Sequence, residues 1–210
     1  MRDFLWKFRN SIITGLFLTI AVLLYVIPPE ARLGSKVRLV YFHASIAENS
    51  IIFFVLGGVL ALVYLFRRND LSFFRAVSFF LVGFYLWIFQ TILGGVNMKV
   101  IWGNFFWSEP KARMGLILLA ISLFIYLLVE FELFSRLYLS LLLVFMAASA
   151  IFGLLFTSNV FHPKNAIFGS NVFAYKLIFV LLVLAWLVIN YLWSESIYRV
   201  LIQKKTEQKK

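Results

Sequence analysis

The chain has no cysteine, which removes disulfides, thiolate metal ligands and thioether attachment of a cofactor together, and leaves the redox compartment unreadable from thiols. Charge is also scarce. Only 14% of the 210 residues are Asp, Glu, Lys or Arg, and 20 of these are basic against 9 acidic. Histidine is scarcer still, with two residues, His43 and His162. They stand 119 positions apart, so no local metal-binding spacing of the HExxH kind exists. No GxxxxGK[ST] phosphate loop occurs, and no loop gathers acids and bases into a nucleophile or proton relay, so the chain is not expected to be an enzyme. Internal repeats, low-complexity segments and interdomain linkers are missing as well.

What is abundant is apolar residue. The chain is 63% hydrophobic with a mean hydropathy of +0.94, values that a water-soluble domain of this length does not normally reach. A bilayer core forces each backbone amide to be satisfied within helices or a closed barrel, and the apolar runs here are too long for barrel strands. The expectation is an all-α polytopic membrane protein with six transmembrane helices near 11–28, 46–66, 73–96, 114–130, 135–157 and 174–194, forming one integral membrane domain over 1–210. The first apolar run is long for a signal h-region, and Pro28-Pro29-Glu30-Ala31-Arg32 is a poor cleavage site, so it reads as a retained span.

The net charge of +11 follows topology, not a nucleic-acid stripe, because the cations fall in short stretches between spans. Arg2, Lys7, Arg9, Arg67, Arg68, Arg75, Arg136, Arg199, Lys204, Lys205, Lys209 and Lys210 share one side, 12 of the 20. The positive-inside rule then puts both termini in the cytoplasm, in the cytoplasmic (inner) membrane. The outer segments keep Arg32, Lys36, Arg38, Lys99, Lys111, Arg113, Lys164 and Lys176. Two readings of that outer excess stand. Short basic loops translocate when others outweigh them, or an anionic ligand binds outside in a favourable field that only Glu30 and Glu109 offset within the loops.

By this topology His43 ends the first outer loop and His162 lies in the third, facing one compartment. Between them runs Lys99-Val100-Ile101-Trp102-Gly103-Asn104-Phe105-Phe106-Trp107-Ser108-Glu109-Pro110-Lys111, with four aromatic rings in six residues, bracketed by cations. An interfacial aromatic belt and headgroup-bonded histidines explain such residues without a ligand. A flat macrocycle with anionic arms explains them too: rings stack on its face, Lys and Arg meet its propionates, and imidazoles ligate its iron. Glu48 and Asn49 open the second span and read either as an interfacial cap or as partners of the imidazole. Gln90 reads as a bond to a neighbouring helix.

These segments resemble the haem-handling WWD-domain membrane proteins of cytochrome c maturation, and among them the six-span CcmC type. That family carries an outer loop of the form Trp-Gly-x-Trp-Trp-x-Trp-Asp between two histidines. Here Trp102-Gly103 opens the motif, Glu109 stands at the Asp position, Val37 to His43 is similar to the segment leading to the first histidine, and Phe161-His162 to the second. The chain departs from the pattern at Phe105, Phe106 and Ser108, in a one-residue displacement of Trp107, and in Ala44-Ser45 where many members have Val-Pro. The resemblance implies transient binding of haem b at the outer face and its delivery to a membrane-anchored haem chaperone, with ATP-binding cassette transporter subunits as further partners. On that footing His43 and His162 are the iron ligands. Trp102, Phe105, Phe106 and Trp107 form the platform, Gly103 and Glu109 complete the cofactor-binding loop, and Arg38, Lys99, Lys111 and Arg113 are candidates for the propionates. Two alternatives stay open: a haem-bearing electron-transfer subunit, and a transport permease or assembly scaffold without haem.

Overall fold

The computed structural model describes residues 6–158 and 167–207. Among the described residues six helices account for the architecture, and no strand occurs: α1 (Arg9–Val26), α2 (Val37–Arg67), α3 (Asp70–Trp102), α4 (Pro110–Glu130), α5 (Arg136–Phe156) and α6 (Phe173–Glu207). Each is long and apolar enough to cross a bilayer, which makes this a multi-pass membrane protein. Helices α2 and α3 form the centre. Helix α2 packs against α3, α5 and α6, while α4 leans on α3 and α5, and α1 rests chiefly on α6.

The helices outrun the apolar stretches that mark them in the sequence. Helix α2 starts at Val37 rather than near 46, α3 runs on to Trp102 rather than ending near 96, and α6 continues to Glu207 rather than stopping near 194. At ~1.5 Å per residue the 31 residues of α2 span about 46 Å, well beyond a hydrocarbon core of roughly 30 Å. Hydropathy marks the part of a helix that lies in lipid, and the hydrogen-bonded backbone continues wherever packing supports it. At the start of α2 the support is a buried stripe of Val37, Tyr41 and Ser45, one residue per turn. Tyr41 packs edge-on against Phe179 of α6 at 5.9 Å between centroids.

Termination signals are local and legible. Gly103 ends α3 in the left-handed region (φ 76°), donating its N–H to Lys99 O at 3.1 Å. Glu109 caps α4 by accepting from Ala112 N–H at 2.7 Å, with Pro110 following in the first turn. Asn69 caps α3 through Leu71 N–H at 3.0 Å.

Between helices, small residues and polar side chains do the joining, as lipid provides no hydrophobic force to press them together. Gly57 of α2 lies so close to α3 that a Cβ there would stand 3.2 Å from Ala76 O and Phe80 N, and one on neighbouring Gly58 would overlap the Ala147 methyl of α5. Ser50 Oγ donates to Gly83 O of α3 at 2.6 Å. Asn49, fully buried, donates to Ser45 O at 3.0 Å and to Val183 O of α6 at 3.1 Å. It belongs to the core, not to a cap at the mouth of a span. Gln90 bonds locally to Thr91 Oγ1 at 3.2 Å instead of reaching another helix.

One end of the bundle, which holds both described termini, is closed by ion pairs. Glu195 is buried between Arg75 (3.2 Å) and Arg199 (3.2 Å), and Asp70 is held by Arg136 (2.7 Å) and Lys205. Arg2, Lys209 and Lys210 lie outside the described residues. Gly58→Ala is expected to lose about 1–3 kcal/mol by overpacking α2 against α5. Ala147→Gly should restore most of it in the double variant, as read from thermal unfolding midpoints in detergent.

Candidate functional site

The opposite end of the bundle gathers most of the residues singled out from the sequence, and their positions start from helix ends. Because α2 begins at Val37, His43 is not at the end of a loop: it sits in the second turn of a helix, half-buried. Its imidazole lies against Gly94 of α3, where a Cβ would stand 3.3 Å from Cε1. The next residue, Gly95, receives the aromatic segment on the adjoining flank of the same helix. A Cβ there would meet the Trp107 indole at 3.5 Å and the Phe105 ring at 3.8 Å. Phe105 and Trp107 are parallel within 4°, with centroids 5.9 Å apart, and are 47% and 43% exposed. The imidazole and the two-ring shelf thus converge on one glycine pair from two sides.

The shelf overhangs an apolar groove of about 470 Å³ on α3, lined by Thr91, Ile92, Gly95, Val96, Lys99 and Val100 together with the two rings. That volume lies within the roughly 300–1,000 Å³ of ligand pockets. Lys99 supplies the cation of this groove, with Nζ 6.0 Å above the Phe105 ring and donating to Gly103 O at 3.0 Å. Its position is a consequence of the long α3: Lys99 and Trp102 are in the last helical turn, not in a loop.

The remaining candidates are distributed. Arg38 is in the first turn of α2 with its guanidinium 5.4 Å from the Tyr25 ring of α1, and its buried Nε has no hydrogen-bond partner among the described residues. Lys111 and Arg113 belong to the first turn of α4, half-buried and exposed respectively. Lys111 is the cation whose field reaches Glu48, which stands exposed on α2. Gly103 turns the chain out of α3, Trp102 and Phe106 are half-buried beside it, and Glu109 is buried with its carboxylate in the α4 cap. So the four cations do not form one cluster, and Lys99 alone among them lines the groove. His162 and Lys164, with Phe161, lie outside the described residues.

Three residues escaped the sequence reading. Gly94 and Gly95 make the convergence possible, and the signal was a glycine pair late in an apolar span, where lipid-facing packing does not ask for it. Asn97, one turn beyond Gly94, is 6% exposed, and neither its amide nitrogen nor its carbonyl oxygen has a hydrogen-bond partner among the described residues. Buried amides are normally satisfied, so this one marks unspent bonding capacity beside the imidazole's side of α3.

No family model matches the chain, and no curated protein is significantly similar to it. Gly95→Leu is expected to lift Phe105 and Trp107 off α3 without unfolding the bundle. The check is tryptophan emission in detergent: a red shift and greater quenching by aqueous iodide relative to wild type, at an unchanged helical circular dichroism signal.

Proposed function

We propose that this end of the bundle is the outer face of the cytoplasmic membrane and binds haem b for delivery to a membrane-anchored haem chaperone during cytochrome c biogenesis. The observation that carries the reading is the meeting of His43 and the Phe105–Trp107 shelf on Gly94–Gly95. A bound haem brings an iron that imidazole ligates and propionates that cations and amides receive.

The residues present fit that group in three respects. His43 belongs to α2 and is packed against α3 at Gly94. The groove under the shelf is almost wholly apolar, with a single cation, Lys99, at its rim. Arg38 Nε and the Asn97 amide are buried near the same bundle end with hydrogen-bonding capacity to spare. In this reading Trp107 and Phe105 would support the macrocycle, Lys99 would receive a carboxylate, Arg38 and Asn97 would be further carboxylate partners near the same bundle end, and His162 would be the second iron ligand. Trp102, Phe106 and Gly103 shape the turn that places the shelf. Lys111 and Arg113 stand further off and contribute field more than contact. The large exposure of both shelf rings leaves an edge open for an acceptor, which suits a handler that releases its cargo rather than an enzyme. ATP-binding cassette subunits would be partners supplied by other chains.

A second reading gains from the same structure. Histidine ligands of electron-transfer subunits sit within helices, and His43 is within one. The two readings part on chemistry: a permanent electron carrier is reduced by quinol and retains its haem, whereas a delivery protein loses haem to its acceptor.

The protein purified from haem-replete cells is expected to show a Soret band that His43→Ala and His162→Ala each abolish. Haem content unchanged in both variants would end the proposal, and quinol-driven reduction with no haem loss to an acceptor would select the second reading.

A further inference from the structure

A second groove lies at the other end of the bundle, independent of any haem chemistry. Helix α1 contributes few buried residues and leans on α6, which leaves a furrow of about 590 Å³ with α6 as floor and α1 and α3 as walls. Its sides are aromatic, including Phe17 of α1, Tyr85 and Phe89 of α3, and Trp186 and Trp193 of α6. Tyr85 and Trp193 stack at 5.6 Å. At its mouth Arg9 is fixed in place, donating to Ser196 Oγ at 3.0 Å and to Asn10 Oδ1 at 3.3 Å, with the Trp6 ring 4.5 Å from its guanidinium carbon.

Two quantities identify what such a furrow takes. The first is charge. Glu195 and Asp70 at this end are each already shared by two cations, while every partner of Arg9 among the described residues is neutral. A guanidinium held by neutral neighbours at the membrane surface keeps an uncompensated charge, and its remaining N–H groups suit bidentate contact with a phosphate. The second is depth. From Ser196 to Trp186 the floor rises ten residues, about 15 Å at ~1.5 Å per residue, which is half of a roughly 30 Å hydrocarbon core. A furrow with a cation at the headgroup level and apolar walls for the depth of one leaflet has the dimensions of one lipid molecule.

We propose that the α1–α3–α6 furrow is a binding site for an anionic phospholipid, with one acyl chain along the aromatic walls and the headgroup phosphate on Arg9. The bound chain fills the gap that α1 leaves beside α3 and so fastens α1 to the bundle.

The test uses the full chain in detergent micelles, titrated with phosphatidylglycerol, phosphatidylcholine or inorganic phosphate, with binding followed by native mass spectrometry and by the unfolding midpoint. One cation near the surface favours anionic over zwitterionic lipid by roughly fivefold. That preference is expected in wild type and in Lys7→Gln, and is expected to vanish in Arg9→Gln while the haem content of all three stays equal. Equal affinity for the two lipids in wild type, a preference that survives Arg9→Gln, an equal loss in Lys7→Gln, or full competition by inorganic phosphate would each overturn the assignment. A second measurement stands even where Arg9→Gln does not fold. Phosphatidylglycerol with brominated acyl chains should quench wild-type tryptophan emission more than that of Trp193→Phe, and equal fractional quenching in the two would count against the site.

Discussion

The seam between α2 and α3 is the constraint on which the rest depends. Both helices are central, and they approach through glycine: Gly57 faces the α3 backbone, and Gly83 faces the backbone and ring of Phe54. Van der Waals contact over a close backbone approach is what holds helices in lipid, and Ser50 to Gly83 O adds a hydrogen bond with no water competing for it. The same seam continues towards the loop end, where the His43 imidazole lies against Gly94. A bulkier residue at Gly57 or Gly83 would force apart the same two helices between which the imidazole is packed. Packing and site are one property of this interface.

The two ends of the bundle settle their charges differently. At the end holding both described termini, two carboxylates are bonded to cations: Asp70 to Arg136 and Lys205, Glu195 to Arg75 and Arg199. Arg75 and Arg199 also lie against Tyr198 and Trp6, at 4.3 and 3.9 Å from the rings. These bonds tie α3, α5 and α6 into one collar, because each carboxylate joins residues from different helices. The collar explains why α6 remains helical long after its apolar part has ended: its last turns are anchored through Lys205.

Composition and run length made the six spans legible, since nothing but lipid solvates so apolar a chain. Helix ends were less legible for a definite reason. Val37, Tyr41 and Ser45 repeat once per turn and face α6, yet Arg38 and His43 lie among them and lower the local hydropathy, so the start of α2 passes for a loop. Trp102 and Lys99 were misplaced in the same way, although Gly103 is a plain terminator. The aromatic segment was visible as composition, whereas its seat was not: the contact of Trp107 with Gly95 joins residues twelve apart through a turn whose path no spacing rule gives. Arg38, Lys99, Lys111 and Arg113 share one end of the bundle, and only three dimensions separate Lys99 in the groove from Arg38 against α1 and Lys111 near Glu48.

At the loop end two of the described carboxylates, those of Glu30 and Glu109, bond to backbone. Glu30 accepts from Arg32 and Leu33 N–H at 2.8 and 2.7 Å within its own turn, and Glu109 caps α4. Lys36 and Lys99 consequently turn to carbonyls, donating to Val100 O at 2.9 Å and Gly103 O at 3.0 Å. A carbonyl is a weaker partner for an ammonium than a carboxylate is, and the exchange of one for the other costs no ion pair. An arriving anionic group at this end thus meets cations whose bonds to the protein are replaceable, beside an apolar groove and an imidazole. Few acidic residues stand at this end to compete with it, and the scarcity of acid first seen in the composition carries over to this end of the bundle.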